Sequence, residues 1–144
     1  MSSLFLDAFG VDKDACDHGR WVTLVERNSS KVEVFIRRTN SVKYKQQLEV
    51  LMEPHKEALT LGILESDIYT EVIRKAAAKS LILDWRGIKY DDSSDEEIPF
   101  SSDRAEEYFT SFPDFFELVF NAANAKENFM IQDIEKAKAV LKKN

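Results

Sequence analysis

The spacing of hydrophobic residues changes once along the chain, near residue 40. Before that point, residues 20–26 are rich in β-branched and aromatic side chains, and residues 31–37 alternate between polar and apolar side chains. The intervening Asn28-Ser29-Ser30 is typical of a turn. This pattern predicts an antiparallel β-hairpin over residues 20–39, preceded by an N-terminal arm over residues 1–19.

The alternation in the second run also predicts which side chains of the hairpin face the core. Val32, Val34 and Ile36 fall on one face of an extended strand, and this apolar face is expected to be buried. The charged side chains of the same run, with Phe35 among them, are expected on the outer face.

After residue 40 the apolar residues recur at helical spacing, which predicts a helical part over residues 41–85. A first helix begins near Ser41, and Pro54 and Gly62 interrupt the pattern after it. A longer helix then opens at Ser66 and is expected to end near Trp85.

The last third of the chain predicts a polar loop followed by more helices. Residues 86–103 form an acidic loop, and residues 103–142 have helical spacing, including a last helix over about 127–142. The predicted fold is therefore one domain over 1–144, mainly α of the α+β class, with an N-terminal antiparallel β-hairpin followed by a bundle of about five helices.

Composition places the chain among globular proteins. Hydrophobic residues make up 44% and charged residues 32% of the 144 residues. The apolar runs are far shorter than the roughly 20 residues of a membrane helix, so no membrane partner is expected. The start of the chain lacks the pattern of a secretory signal, and the lone Cys16 suits a reducing compartment, so a cytoplasmic location is expected.

Charge is concentrated in one segment. Residues 91–117 hold ten acids and one base, or 1 − 10 = −9, whereas the rest of the chain holds 19 bases and 16 acids, or +3. The acidic segment repels nucleic acid, and no basic patch with interleaved aromatic residues accompanies it. No nucleic-acid partner is therefore expected.

Candidate chemistry is sparse. A calcium-binding loop starting at Asp91 would need Gly at its sixth position and Glu at its twelfth, but Glu96 and Ser102 stand there. Cys16, His18 and His55 are too few for a structural zinc site. The sequence therefore predicts no catalytic residue, no metal site, no cofactor and no enzymatic activity; loose ion binding by the acidic loop, a small hydrolase and an acidic DNA mimic are the other hypotheses.

Phenylalanine is unusually abundant, with ten residues in the chain. The simplest interpretation places Trp85 and the Phe-rich segment 109–120 in the core. The other interpretation is an exposed apolar patch for a protein partner. On that interpretation the segment 109–120 and the amphipathic last helix supply the candidate partner-binding residues Phe112, Phe115, Phe116, Met130, Ile134 and Leu141.

The order of several short motifs resembles that of a known family. Gly19-Arg20-Trp21-Val22 opens the hairpin, Asp84-Trp85-Arg86-Gly87 closes the long helix, and Ile98-Pro99-Phe100-Ser101 closes the polar loop. Over about residues 19–125, the chain resembles the tail assembly chaperones of long-tailed bacteriophages. The acidic loop departs from the family pattern because it lacks a glycine-containing turn.

The resemblance implies a non-catalytic protein of the infected host's cytoplasm. Such a chaperone binds the tail tube protein, the tape measure protein or both, keeps them soluble before assembly, and is absent from the mature virion. No nucleotide, metal or other cofactor is implied. The alternatives are a virion structural component, such as a neck or tail completion protein, and another small acidic protein-binding module; homo-oligomerisation is left open.

Overall fold

A computed structural model describes residues 3–142, apart from the side chain of Ile134. Its elements confirm the predicted class, an N-terminal antiparallel hairpin followed by helices. In chain order they are α1 (Leu4–Phe9), α2 (Lys13–His18), β1 (Arg20–Arg27), β2 (Ser30–Ile36), α3 (Val42–Met52), α4 (Lys56–Thr60), α5 (Ser66–Ser80), β3 (Ile82–Arg86), α6 (Ser102–Ser111), α7 (Pro113–Asn124) and α8 (Ile134–Lys142), with 3-10 turns at Glu53–His55 and Lys126–Phe129.

The hairpin forms as the alternation predicts. Strands β1 and β2 pair in antiparallel register, and a bulge between Thr23 and Val25 shifts the pairing by one residue. Asn28 takes a positive φ of 56°, a conformation that Asn tolerates better than most residues. Val34 and Ile36 are fully buried and Val32, nearer the turn, is half-buried, so the face predicted to point inward does so.

A third strand takes the place of the predicted end of the long helix. Helix α5 ends at Ser80, and β3 pairs antiparallel with β2, which gives the sheet order β1-β2-β3. Ile82 and Trp85 pair with Ile36 and Val34 of β2 and are buried, while Asp84 is exposed. An irregularity in the pairing shifts the alternation by one residue, so side chains three positions apart both face the core. The prediction of a helix up to Trp85 was wrong because pairing with β2 outweighs the local helical spacing.

The predicted N-terminal arm consists of two short helices. Ser3 accepts the backbone N–H of Leu6, and Asp12 accepts the N–H of Asp14 at 3.1 Å, so each helix has a side-chain N-cap. The two helices meet the C-terminal part of the chain through its backbone, because the N–H of Asp12 donates to the carbonyl of Phe129 at 2.7 Å.

The last helix begins at Ile134, so the predicted start near residue 127 was wrong. Residues 126–129 form a 3-10 turn that buries Phe129 completely. The N–H of Ile131 then donates to the carbonyl of Gly10 at 2.7 Å, and this long-range pairing holds the segment extended. The carboxylate of Asp133 accepts the N–H of Glu135, as a helix-capping residue does.

Helix α5 lies at the centre of the helical part. It packs against α3 and α6 and also contacts β3. Ala76, Ala77 and Ala78 are fully buried, and their small side chains let the neighbouring elements approach α5 closely. The buried core therefore joins the sheet to α5, α6 and α7 in one cluster.

Candidate partner-binding surfaces

Trp85 is the centre of an aromatic cluster that links β3 to α6 and α7. Its ring centroid lies 5.3 Å from those of Phe100 and Tyr108, and 6.2 Å from that of Phe115. Its indole N–H donates to the carbonyl of Ile98 at 2.7 Å. Trp85 is buried, so the interpretation that places it in the core is confirmed.

The three predicted phenylalanines of this region differ in exposure. Phe115 and Phe116 are half-buried and lie with ring centroids 5.6 and 5.1 Å from that of Phe109, so both help to close the core. Phe112, at the junction of α6 and α7, is 56% exposed and touches Tyr108 edge-on. Phe112 is therefore the one of the three that offers most of its ring to a partner.

The predicted residues of the last helix do not share one helical face. Met130 is half-buried in the extended segment before α8, where its carbonyl accepts a hydrogen bond from Arg20 at 2.8 Å. Leu141 is exposed on α8. The side chain of Ile134 lies outside the described part of the chain. Phe112, Met130 and Leu141 thus lie in different parts of the fold.

A groove of about 510 Å³ lies between α1, α2 and the start of α3. Its apolar wall comes from Phe9, Val11 and Val42. Three cationic side chains, Lys13, Arg38 and Lys126, also line it. We call this site the N-terminal groove. Its residues come from three distant segments of the chain, so no local pattern in the sequence predicts it.

The N-terminal groove carries an excess of positive charge. The carboxylate of Asp17 also lines it, but one of its oxygens accepts the N–H of Val42 at 3.2 Å and so caps α3. Within residues 3–142, the ion pairs do not involve any of the three groove cations. The groove therefore suits an occupant that brings carboxylates beside apolar groups.

Cys16 lies in the same groove but is not set up as a nucleophile. Its side chain is buried, and burial raises the pKa of its thiol despite the nearby Arg38 guanidinium, which lowers it. A thiol whose pKa is raised remains protonated at neutral pH, and the thiolate is the reactive form. Cys16 thus contributes packing here.

Helix α1 borders the groove and presents apolar side chains to solvent. Leu4, Phe5 and Phe9 are 87%, 59% and 63% exposed, and the rings of Phe5 and Phe9 lie 5.2 Å apart. Lys126 fixes the helix by donating to the carbonyl of Ala8 at 2.7 Å. We call Leu4, Phe5 and Phe9 the α1 ridge; the helix has six residues, too few for its period to show clearly in the sequence.

Asp12 ties the N-terminal helices to the hairpin and to α8. Its carboxylate lies 2.9 Å from the ammonium of Lys136 and 3.4 Å from the guanidinium of Arg20. Burial by itself raises the pKa of Asp12, but the hydrogen bond from Lys136 and those from backbone amides outweigh it, so the net pKa is lowered. This small network positions α8 against α2.

Asp12→Asn should lower the free energy of unfolding at pH 7 by about 1–2 kcal/mol, because it removes the charge and keeps a capping oxygen. The folded-state pKa lies below the ordinary 3.8, so the stabilisation is present above that value and is lost as pH falls through the lowered pKa. Denaturant unfolding at pH 7 and at about pH 3 checks this. A loss of unfolding free energy in Asp12→Asn that is the same at both pH values would contradict this prediction. Asp12→Ala should lower the free energy of unfolding by about 1 kcal/mol more, because it also removes the helix cap.

A comparison with known families decides the origin of the chain. The family model described as YdaY prophage protein matches residues 39–142, well over half of the chain. The chain belongs to the YdaY prophage protein family. No curated protein and no solved structure matches it. Family membership makes this a phage-derived protein, which agrees with the phage class of the resemblance at that coarser level.

The YdaY match begins just after the hairpin and so divides the candidate surfaces. Trp85 and Phe112 lie inside the matched residues, as do Val42 and Lys126 of the groove. The α1 ridge and the remaining cations of the groove precede the match.

Among the described residues, no three His, Cys, Asp or Glu side chains are grouped as a metal site requires. Nor does any helix in residues 3–142 have the length and apolar character needed to cross a membrane.

Proposed function

We propose that this YdaY-family protein is a non-catalytic phage tail assembly chaperone. It binds the tail tube protein, the tape measure protein or both in the host cytoplasm, keeps them soluble, and leaves before the virion is complete. The family match supports a phage protein. The order of motifs that resembles the tail chaperones supports the tail-assembly role.

The observation that carries the proposal is the α1 ridge. Helix α1 has no buried residue, so its three large apolar side chains add little to the core. Exposing them to water is unfavourable, and clustered exposed apolar side chains on a soluble domain commonly mark a protein-binding surface. Binding a partner is therefore the use that best explains these residues.

The ridge suits the surfaces that tail proteins expose before assembly. A tail tube subunit has edges that polymerise, and a tape measure protein is a long helix with apolar faces. A short apolar helix can cover either kind of surface by side-chain packing and release it again without chemistry. A small ridge also gives moderate affinity, which a chaperone needs in order to hand over its client.

Polymerisation of the purified tube protein tests the proposed activity. Adding the chaperone at an equimolar ratio should slow the rise in light scattering as tube protein polymerises, and a complex should be isolated by size-exclusion chromatography. The same measurement with soluble tape measure fragments identifies which client is bound. Unchanged polymerisation and no complex with either client would contradict the proposal.

The alternative, a virion structural component such as a neck or tail completion protein, also uses exposed apolar surface. Phe112 and the α1 ridge would then make permanent contacts in the particle. Mass spectrometry of purified virions separates the two functions. The proposed chaperone should be absent from the particles, whereas a stoichiometric amount would establish the structural role instead.

A further inference from the structure

Two features of opposite charge lie at opposite ends of the hairpin. The N-terminal groove lies at the open end, where Arg38 follows β2 and the residues before β1 complete its wall. The acidic loop, which in the structure spans residues 87–101 between β3 and α6, lies at the turn end, where the carboxylate of Asp92 is 3.6 Å from the guanidinium of Arg27. Strand β2 has seven residues, and at about 3.4 Å per residue it separates the two ends by roughly 20 Å.

The acidic loop carries an exposed aromatic ring and exposed carboxylates, which complement the apolar wall and the cations of the groove. Tyr90 is 76% exposed and directly precedes the run of acids. The carboxylate of Asp91 accepts hydrogen bonds from the backbone and hydroxyl of Ser93 and so forms a turn. Beyond this turn, Asp95 and Glu96 are exposed and take part in no ion pair among the described residues.

We propose that the acidic loop of one copy docks in the N-terminal groove of a second copy. The Tyr90 ring packs against the apolar wall formed by Phe9, Val11 and Val42. The carboxylates of Asp95 and Glu96 approach the cations Lys13, Arg38 and Lys126. The aromatic ring and carboxylates of the loop complement the apolar wall of the groove and three cations that make no ion pair within residues 3–142. This complementarity selects a second copy as the occupant.

The contact joins different surfaces of the two copies, so it is head-to-tail. A loop cannot reach the groove of its own molecule across the length of the hairpin. A pair of docked copies therefore still has one unoccupied groove and one undocked loop. Such a heterologous contact forms chains or closed rings rather than a two-fold dimer. Its charged pairs lie near the surface, so association should weaken as ionic strength rises.

Charge reversal on each side of the contact tests the proposal. The groove-reversed protein carries Lys13→Glu and Arg38→Glu, and the loop-reversed protein carries Asp95→Lys and Glu96→Lys. In sedimentation velocity at low salt, the unaltered protein should form species larger than a monomer as concentration rises. Each reversed protein alone should remain monomeric, because the side chains at positions 95 and 96 then have the same sign of charge as those at positions 13 and 38.

Mixing the two reversed proteins is the decisive step. The acidic loop of the groove-reversed protein fits the basic groove of the loop-reversed protein, and the opposite pairing is also complementary. A 1:1 mixture should therefore recover species as large as those of the unaltered protein, with both variants in equal amounts. A mixture that remains monomeric would overturn the proposal.

Matched controls separate this contact from a general effect of charge. Lys43→Glu with Lys79→Glu reverses two exposed cations of a different surface, and Asp103→Lys with Glu107→Lys reverses two exposed acids of α6. Both controls should associate like the unaltered protein. Because Arg38 is half-buried, the exposed single changes Lys13→Glu and Asp95→Lys provide the same comparison if the double change at the groove impairs folding.

The outcomes also distinguish this contact from client binding. If the unaltered protein remains monomeric at low salt up to its solubility limit, self-association is excluded and an external acidic segment becomes the occupant to test. If the loop-reversed protein associates as strongly as the unaltered one, the contact lies elsewhere. Neither result bears on the proposed chaperone function, which rests on the α1 ridge.

Discussion

Replacing Trp85 with alanine should lower the free energy of unfolding by about 3–5 kcal/mol. The indole is buried among three aromatic rings that join β3 to α6 and α7, so its removal leaves a cavity where three elements meet. Urea denaturation followed by circular dichroism measures the effect. A loss below about 0.5 kcal/mol would contradict the packing described for Trp85.

Trp85→Phe separates the contribution of the aromatic ring to stability from that of the indole hydrogen bond. It retains an aromatic ring but leaves the carbonyl of Ile98 without the indole N–H, which should cost about 1–3 kcal/mol. Phe112→Ala is the matched control, since this ring belongs to the same aromatic chain but is mostly exposed. It should cost clearly less than Trp85→Ala.

Gly87→Ala should destabilise the protein by roughly 3 kcal/mol or more, because it combines backbone strain with a steric overlap. Gly87 follows β3 with a φ of 84°, and an added Cβ would overlap the carbonyl of Lys31 in β2. Its N–H also donates to the carboxylate of Glu97. The substitution should therefore push β3 away from β2, and denaturant unfolding measures the loss.

Gly62→Ala is the control for the strained conformation alone. Gly62 has a similar φ of 71°, but an added Cβ would meet no atom within 4 Å. This change should cost about 1–2 kcal/mol, the penalty for a left-handed alanine. Similar losses for the two substitutions would show that the close approach of Gly87 to Lys31 adds nothing.

The elements that the sequence predicts well are those set by local spacing. The alternation in β2 and the turn beside it suffice for the hairpin, and Pro113 marks the start of α7 where the structure places it. In each case the periodic face and the buried face agree, so no distant contact is needed to decide the structure.

Distant contacts explain the elements that the sequence does not predict. Leu81 and Ile82 continue the spacing of α5, but β2 offers an unpaired edge, and the N–H of Arg37 donates to the carbonyl of Leu81. Met130 likewise continues the spacing of α8, whereas Arg20 and Gly10 bind the backbone around it. Both misplaced boundaries fall where the backbone of one segment is held by a segment far away in sequence.

The candidate site was predicted only in part, for the same reason. Phe112 is exposed as the surplus of phenylalanine suggested, but Phe115 and Phe116 contribute to the core. The N-terminal groove exists only once α1, α2 and the 3-10 turn at Lys126 come together. The Phe9 and Lys126 that line it are separated by most of the chain, so no local pattern reveals the pair.

The most direct test of the proposed chaperone function is the soluble fraction of a co-expressed tail protein. The comparison uses the unaltered protein, Leu4→Ser with Phe5→Ser on the α1 ridge, and a control with Val50→Ser and Leu61→Ser, two exposed apolar residues elsewhere. The unaltered protein and the control should raise the soluble fraction of tube or tape measure protein, and the ridge variant should not. Two results would contradict the proposed function: the ridge variant raises the soluble fraction of the tail protein as much as the unaltered protein does, or the unaltered protein does not raise it at all.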